Sequence, residues 1–200
     1  MKLDSNLNFY DQDKDKIDNS KEKMDVKREV FQWVQSLILC VVLVALAFTF
    51  IGRISPVSGI SMEPTFHDGE KIITTSLYGK LKYGDVVAIR RKDGLPLIKR
   101  VIAIEGDTIE IDANTAEVKV NGVVLKEPYI KEPTYVDLGM KGPATVPKGH
   151  VFAMGDNRNH SDDSRDARIG MIDERNVFGK VIFRFYPFNK MGTIKLNASE

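Results

Sequence analysis

Glu117-Val118-Lys119-Val120-Asn121-Gly122-Val123-Val124-Leu125 (EVKVNGVVL) reads as a β-hairpin from its residues alone. Asn121-Gly122 sits between two short β-forming runs, and this pair supplies the positive φ angles that a two-residue type I′ turn requires. The same texture extends in both directions, with short apolar runs separated by Gly, Asp-Gly and Asn-Gly. Upstream, residues 85–91 (DVVAIRR) read as a strand, Asp93-Gly94 as a turn, and residues 97–104 (LIKRVIAI) as the partner strand. Gly106-Asp107 closes that partner, and residues 108–111 open another strand. Downstream, residues 150–154 and 177–186 (VFGKVIFRFY) read as core strands. Helical periodicity is hard to find in this part of the chain. The expectation is a mainly β protein, with a small antiparallel sheet domain over residues 52–200. A small antiparallel β domain by itself says nothing about function.

Further upstream the composition changes. Residues 31–51 are apolar, and 37–51 contain no charged residue. That length at about 1.5 Å per residue matches the roughly 30 Å hydrocarbon core of a bilayer. Trp33 suits the interface, Lys21, Lys23, Lys27 and Arg28 precede the run, and only Arg53 follows closely. The positive-inside rule then places the N-terminus in the cytoplasm and residues 52–200 outside. Residues 1–30 are polar, with little to bury, and read as a disordered cytoplasmic tail. A cleaved signal peptide and a lipoprotein signal at Cys40 are the alternatives. The first lacks a small-x-small exit close behind the run, and in the second Leu39 precedes a cysteine that the apolar run continues through. A retained single-pass anchor fits best.

Charge and cysteine content exclude other classes. Lys plus Arg number 29 against 28 Asp plus Glu, which removes the electrostatic footprint of a nucleic-acid binder. Cys40 is the only cysteine, so neither an intrachain disulfide nor a thiolate metal cage can form.

Three segments carry candidate chemistry. In Ser58-Gly59-Ile60-Ser61-Met62-Glu63-Pro64-Thr65, a Gly- and Pro-constrained loop can hold Ser61 exposed to a reacting carbonyl; such serines are also common turn formers. In Leu97-Ile98-Lys99-Arg100-Val101-Ile102, strand alternation turns one of Lys99 and Arg100 inward, unless the strand lies at an edge. A lysine in an apolar site loses its proton more readily and can serve as a general base, which an arginine cannot. A snorkelling surface pair is the competing reading. Gly155-Asp156-Asn157-Arg158-Asn159-His160-Ser161-Asp162-Asp163-Ser164-Arg165 is dense in turn formers and charges. It lacks the alternation and distal Glu of an EF-hand. Asp163 and Arg165 can pair and brace the loop, and Ser161 can hydrogen-bond a buried amine. His67, His150 and His160 show no partner pattern and read as structural or surface residues.

Taken together and in this order behind an anchor, the segments resemble bacterial type I signal peptidases. The family pattern S-M-x-P-T matches Ser61-Met62-Glu63-Pro64-Thr65, K-R-V/I…G-D matches Lys99-Arg100-Val101 through Gly106-Asp107, and G-D-N-R…S-x-D-S-R matches the Gly155 box. The resemblance covers residues 31–187. It implies a serine endopeptidase that removes signal peptides from exported preproteins. Ser61 would be the nucleophile, Lys99 the base, and Ser161, Asp163 and Arg165 the supporting residues. It also implies cleavage after small residues at positions −1 and −3, with preproteins and the lipid bilayer as partners and no metal or organic cofactor. Some family members carry a serine where this chain has Gly59, so the oxyanion is expected to rely on backbone N–H, chiefly that of Ser61. Only about fifty residues separate Asp107 from Gly155, too few for the large accessory domain of Gram-negative enzymes, so the compact Gram-positive form is expected. A self-cleaving repressor protease would need a DNA-binding domain that this chain does not offer. A non-catalytic anchored β module remains the reading from another class.

Overall fold

In the computed structural model, the structure describes residues 26–46, 52–91, 96–140 and 142–194. Among the described residues, one helix, α1 (Val26–Leu46), is long and apolar enough to cross a membrane. It begins five residues before the expected boundary, so 26–30 belong to the helix rather than to the polar tail. Lys27, Arg28 and Glu29 are adequate helix formers whose charges suit a headgroup layer, so the helix need not wait for the apolar run to begin. The rest of the expected tail, residues 1–25, and the end of the expected span, residues 47–51, lie outside the described residues.

The remainder of the chain is a separate compact unit built of short strands. They are β1 (Arg53–Pro56), β2 (Lys71–Thr75), β3 (Val86–Ile89), β4 (Leu97–Ile104), β5 (Thr108–Asp112), β6 (Glu117–Val120), β7 (Val123–Val124), β8 (Ala144–Thr145), β9 (His150–Met154), β10 (Ile172–Asp173), β11 (Val177–Tyr186) and β12 (Gly192–Thr193). The larger sheet runs β1-β2-β11-β3-β4-β9-β10, with β12 on β11; the smaller runs β7-β6-β5-β8. Every pairing is antiparallel. The only helical turns among the described residues of this unit are three-residue 3-10 segments.

β4, β9 and β11 coincide with the runs read from sequence. The hairpin is β6–β7, with Asn121 at φ 54° and Gly122 at φ 79°. The strand expected over 85–91 is shorter, because Asp85 turns back to accept from Lys82 N–H and Arg90 N–H donates to Asn176. The Asp93-Gly94 turn lies outside the described residues. Asn121 also anchors its turn to the preceding loop, accepting from Thr108 N–H at 2.9 Å and donating to Asp107 at 2.8 Å. Asn121→Val is therefore expected to lower stability by about 2 kcal/mol, since a β-branched residue disfavours positive φ and both bonds are lost. Chemical denaturation of the two proteins checks this.

Ile102, Ile109, Val118, Phe152 and Met154 fill one core cluster that joins the two sheets. Met62, Phe66, Ile72, Val86, Ile98 and Val181 fill a second, under the loop after β1. Val87, Val101, Val151 and Ala153 belong to a third. β4 lies between β3 and β9, away from either edge, and six of its eight residues are buried.

Candidate active site

The alternation argument for Lys99 and Arg100 is corrected by that position. It expected one of the two to face inward; both do, at 2% and 1% exposure. Ser61 and its loop cover Lys99, and Gly84, Tyr129 and Asp156 cover Arg100, so both side chains are shut off from open solvent. They meet opposite fates because their partners differ. Arg100 is neutralised: its Nε and Nη2 donate to the two oxygens of Asp156 at 2.8 and 2.6 Å, Nη1 donates to Gly84 O, and its guanidinium lies 4.2 Å over the Tyr129 ring. No carboxylate among the described residues is bonded to Lys99, and its Nζ donates to Ser61 Oγ at 2.7 Å.

Ser61 is held there by its own loop. Val57, Met62 and Phe66 are buried in the core beneath, Glu63 N–H donates to Ile60 O and Phe66 N–H donates to Met62 O, so a tight turn is pinned by its apolar side. The Gly155 box clamps the other side. Asn157 donates its backbone N–H to Ser61 O at 3.0 Å and its Nδ2 to Ile60 O at 3.1 Å. Gly155 is required for this approach: a Cβ there would fall 2.6 Å from Ser161 Cβ and closer still to Ser161 Oγ and Ser61 O.

The box is held by buried charge. Asp163 accepts from Arg165 Nε and Nη2, both at 2.8 Å, from Ser161 Oγ at 2.7 Å and from Gly155 N–H at 3.0 Å. Burial alone would raise the Asp163 carboxyl, but the Arg165 bonds and charge, with the Gly155 and Ser161 donors, hold it below its ordinary value. Arg165 also donates to the carbonyls of Arg158 and Val136. Arg158 in turn is bidentate to Glu127 at 2.6 and 2.7 Å and donates to Gly155 O. Removing one member of such a buried pair leaves the other charge stranded, so these arginines fix loop position more than they add net stability.

Burial lowers the Lys99 ammonium to about 8, against the opposing pull of Asp163, Asp162 and Asp156. Ser61, Lys99 and Ser161 line a cleft of about 340 Å³ whose walls include Ile60, Leu97 and Leu138. A larger cleft of about 490 Å³, lined by Thr65, Arg100, Tyr129, Arg184 and Lys190, contains neither Ser61 nor Lys99 and offers no nucleophile with a base.

The structure thus brings all five expected residues into one region: Ser61 and Lys99 in direct contact, Asp163 and Arg165 paired. Ser161 spends its proton on Asp163, so only its lone pairs are left for another donor. Arg100, Asp156, Asn157, Arg158 and Gly155 were inside the motifs, yet sequence reasoning gave them no role. Glu127 lies in a stretch with no pattern that could have exposed it. The histidines keep local partners: His67 is 3.5 Å from Glu70, His160 is 3.6 Å from Glu132, and the His150 ring lies 2.9 Å from Lys148 O.

An alcohol in contact with a desolvated amine, opening on a cleft, has the make-up of a serine protease site. A family model described as signal peptidase, peptidase S26, matches residues 30–186. The chain is 38% identical to signal peptidase I of Bacillus licheniformis over 82% of its length and 93% of that relative. It is 34% identical to signal peptidase IB of Staphylococcus aureus over 82% of its length and 94% of that relative. A crystal structure of a signal peptidase I from Enterococcus faecalis aligns with 51% of this chain and 97% of that one, at 29% identity and a TM-score of 0.42. The chain belongs to the signal peptidase family, peptidase S26, and is a serine protease of the kind that removes signal peptides from preproteins.

Proposed function

We propose that this protein is a membrane-anchored endopeptidase in which Ser61 attacks the carbonyl that follows a small residue, with Lys99 as general base. The observation that carries the reading is the 2.7 Å contact between Ser61 Oγ and the Nζ of a lysine that is 2% exposed. Once Lys99 is neutral, its lone pair accepts the Ser61 proton as the oxygen attacks. It then returns that proton to the leaving amine, and water hydrolyses the acyl-enzyme. The oxyanion would be met by the Ser61 backbone N–H, which has no acceptor among the described residues; the Gly59 N–H is already donated to Asp68 at 2.7 Å. Ser161, with its own proton committed to Asp163, would accept from the Lys99 amine and aim its lone pair.

The apolar helix α1 supports anchoring in a bilayer, and Lys21, Lys23, Lys27 and Arg28 just before and within its first turn, against Arg53 alone close behind it, support a cytoplasmic N-terminus with the sheet domain outside. Enzyme and precursor would then meet within one membrane, which raises their effective concentration.

The pH–rate profile tests the base. Below the Lys99 pKa of about 8 the amine is protonated in most molecules and cannot take a proton. Cleavage of a precursor, followed as kcat/KM, is expected to rise about tenfold per pH unit up to pH 8 and then level off. A profile that stays flat from pH 6 to 9 would rule out an amine base of this kind.

A further inference from the structure

The carboxylates Asp163, Asp162 and Asp156 and the Arg165 guanidinium act on Lys99. Asp163 is neutralised by Arg165 and Asp156 by Arg100, each through a buried two-bond pair. Asp162 differs. It is exposed, and no hydrogen bond or ion pair reaches it among the described residues. The cation that feels it from outside the cleft is Arg168, whose guanidinium is already bonded to Asp166. Asp162 also lines the cleft of Ser61 and Lys99, where it is the only carboxylate in the lining. His160 beside it leans on Glu132. An unpaired negative charge on the wall of the cleft that holds Ser61 has a field that a chain bound there must meet.

Resting on the protease reading above, we propose that Asp162 makes the cleft charge-selective, so that precursors with a basic residue beside the scissile bond are cut faster than those with an acidic one. A requirement for small residues at −1 and −3 leaves positions −2 and +1 free to carry that charge. The carboxylate acts through space on the bound chain and takes no part in proton transfer.

The test uses the full-length enzyme in detergent and matched precursor peptides, with Lys, Gln or Glu at −2 in one series and at +1 in another. The wild type is expected to show kcat/KM in the order Lys, Gln, Glu in at least one series. The Lys-to-Glu ratio should be about five- to twentyfold at low ionic strength and shrink towards one in ~0.5 M salt. In Asp162→Asn the ratio is expected to collapse at either salt concentration, and in Asp162→Glu to return. Comparing ratios within one variant cancels any change in Lys99 basicity. A wild-type ratio near one in both series, or an equal ratio in Asp162→Asn, overturns the proposal. The protease reading is judged separately, by whether Ser61→Ala abolishes cleavage of the Gln peptide.

Discussion

A Lys99→Met enzyme is expected to lose cleavage by about 10⁴-fold or more while becoming more stable at neutral pH. Methionine fills nearly the same unbranched volume without a charge. Lys99 sits at an ammonium pKa of about 8, against an ordinary 10.5, because burial disfavours its charged form. At about 1.4 kcal/mol per unit, that difference corresponds to roughly 3 kcal/mol of instability. The sign follows from where the protons are. Below pH 8 the amine is charged in both folded and unfolded chains, and the full cost of burying it is present. Between pH 8 and 10.5 the folded protein has shed the proton while the unfolded chain keeps it, so the cost shrinks with rising pH. The advantage of Lys99→Met should accordingly be greatest at pH 7 and below and fade towards pH 10.5. Ser61→Ala should match the loss of activity and show no such pH-dependent gain. Precursor cleavage with denaturant melts at pH 6, 7, 8, 9 and 10 checks both. A Lys99→Met protein that still processes precursor, or that is less stable than wild type at pH 7, sinks the assignment.

The second large effect is expected from a single methyl group far less conspicuous than the dyad. Gly155→Ala should reduce kcat/KM by at least about 100-fold and destabilise by about 1–3 kcal/mol. The new Cβ has to occupy space held by Ser161 and by the carbonyl of Ser61. One obstacle is backbone and the other is tethered by the bond from Ser161 to Asp163, so no floppy side chain can yield. The loops must separate, and the bond from Asn157 N–H to Ser61 O at 3.0 Å is the first to stretch. Ser61 then drifts from an amine whose position on β4 does not change. The loss should appear mainly in kcat, because Leu97 and Leu138 in the cleft wall are not among the atoms that the new Cβ meets. Retention of activity within threefold of wild type would show that the nucleophile turn is not set by this contact.

Much of this molecule was open to a reader of residues. The hairpin at Asn121-Gly122 is local: two adjacent residues fix the turn, and the turn fixes the pairing of its neighbours. Strands β4, β9 and β11 announce themselves by apolar runs between turn formers, and Ser61, Lys99, Asp163 and Arg165 stand in short contiguous motifs. Other features are pairings across long intervals of chain, which no local pattern encodes. Asp156 finds Arg100 fifty-six residues away, Arg158 finds Glu127, and Asn157 reaches back to Ile60. Whether Gly155 is a turn glycine or a spacer depends on what packs against it.

The sequence by itself determined that the chain has one apolar helix ahead of an antiparallel β domain, and which alcohol and which amine were candidates for chemistry. Hydrophobic spacing and turn chemistry suffice for that, since both act between near neighbours. Only the tertiary structure decided that Lys99 and Arg100 are both buried, that one is neutralised by a carboxylate and the other is not, and that the unpaired amine touches Ser61. Desolvation is a property of everything that surrounds a group, and strand order, which places β4 between β3 and β9 under covering loops, is what supplies it.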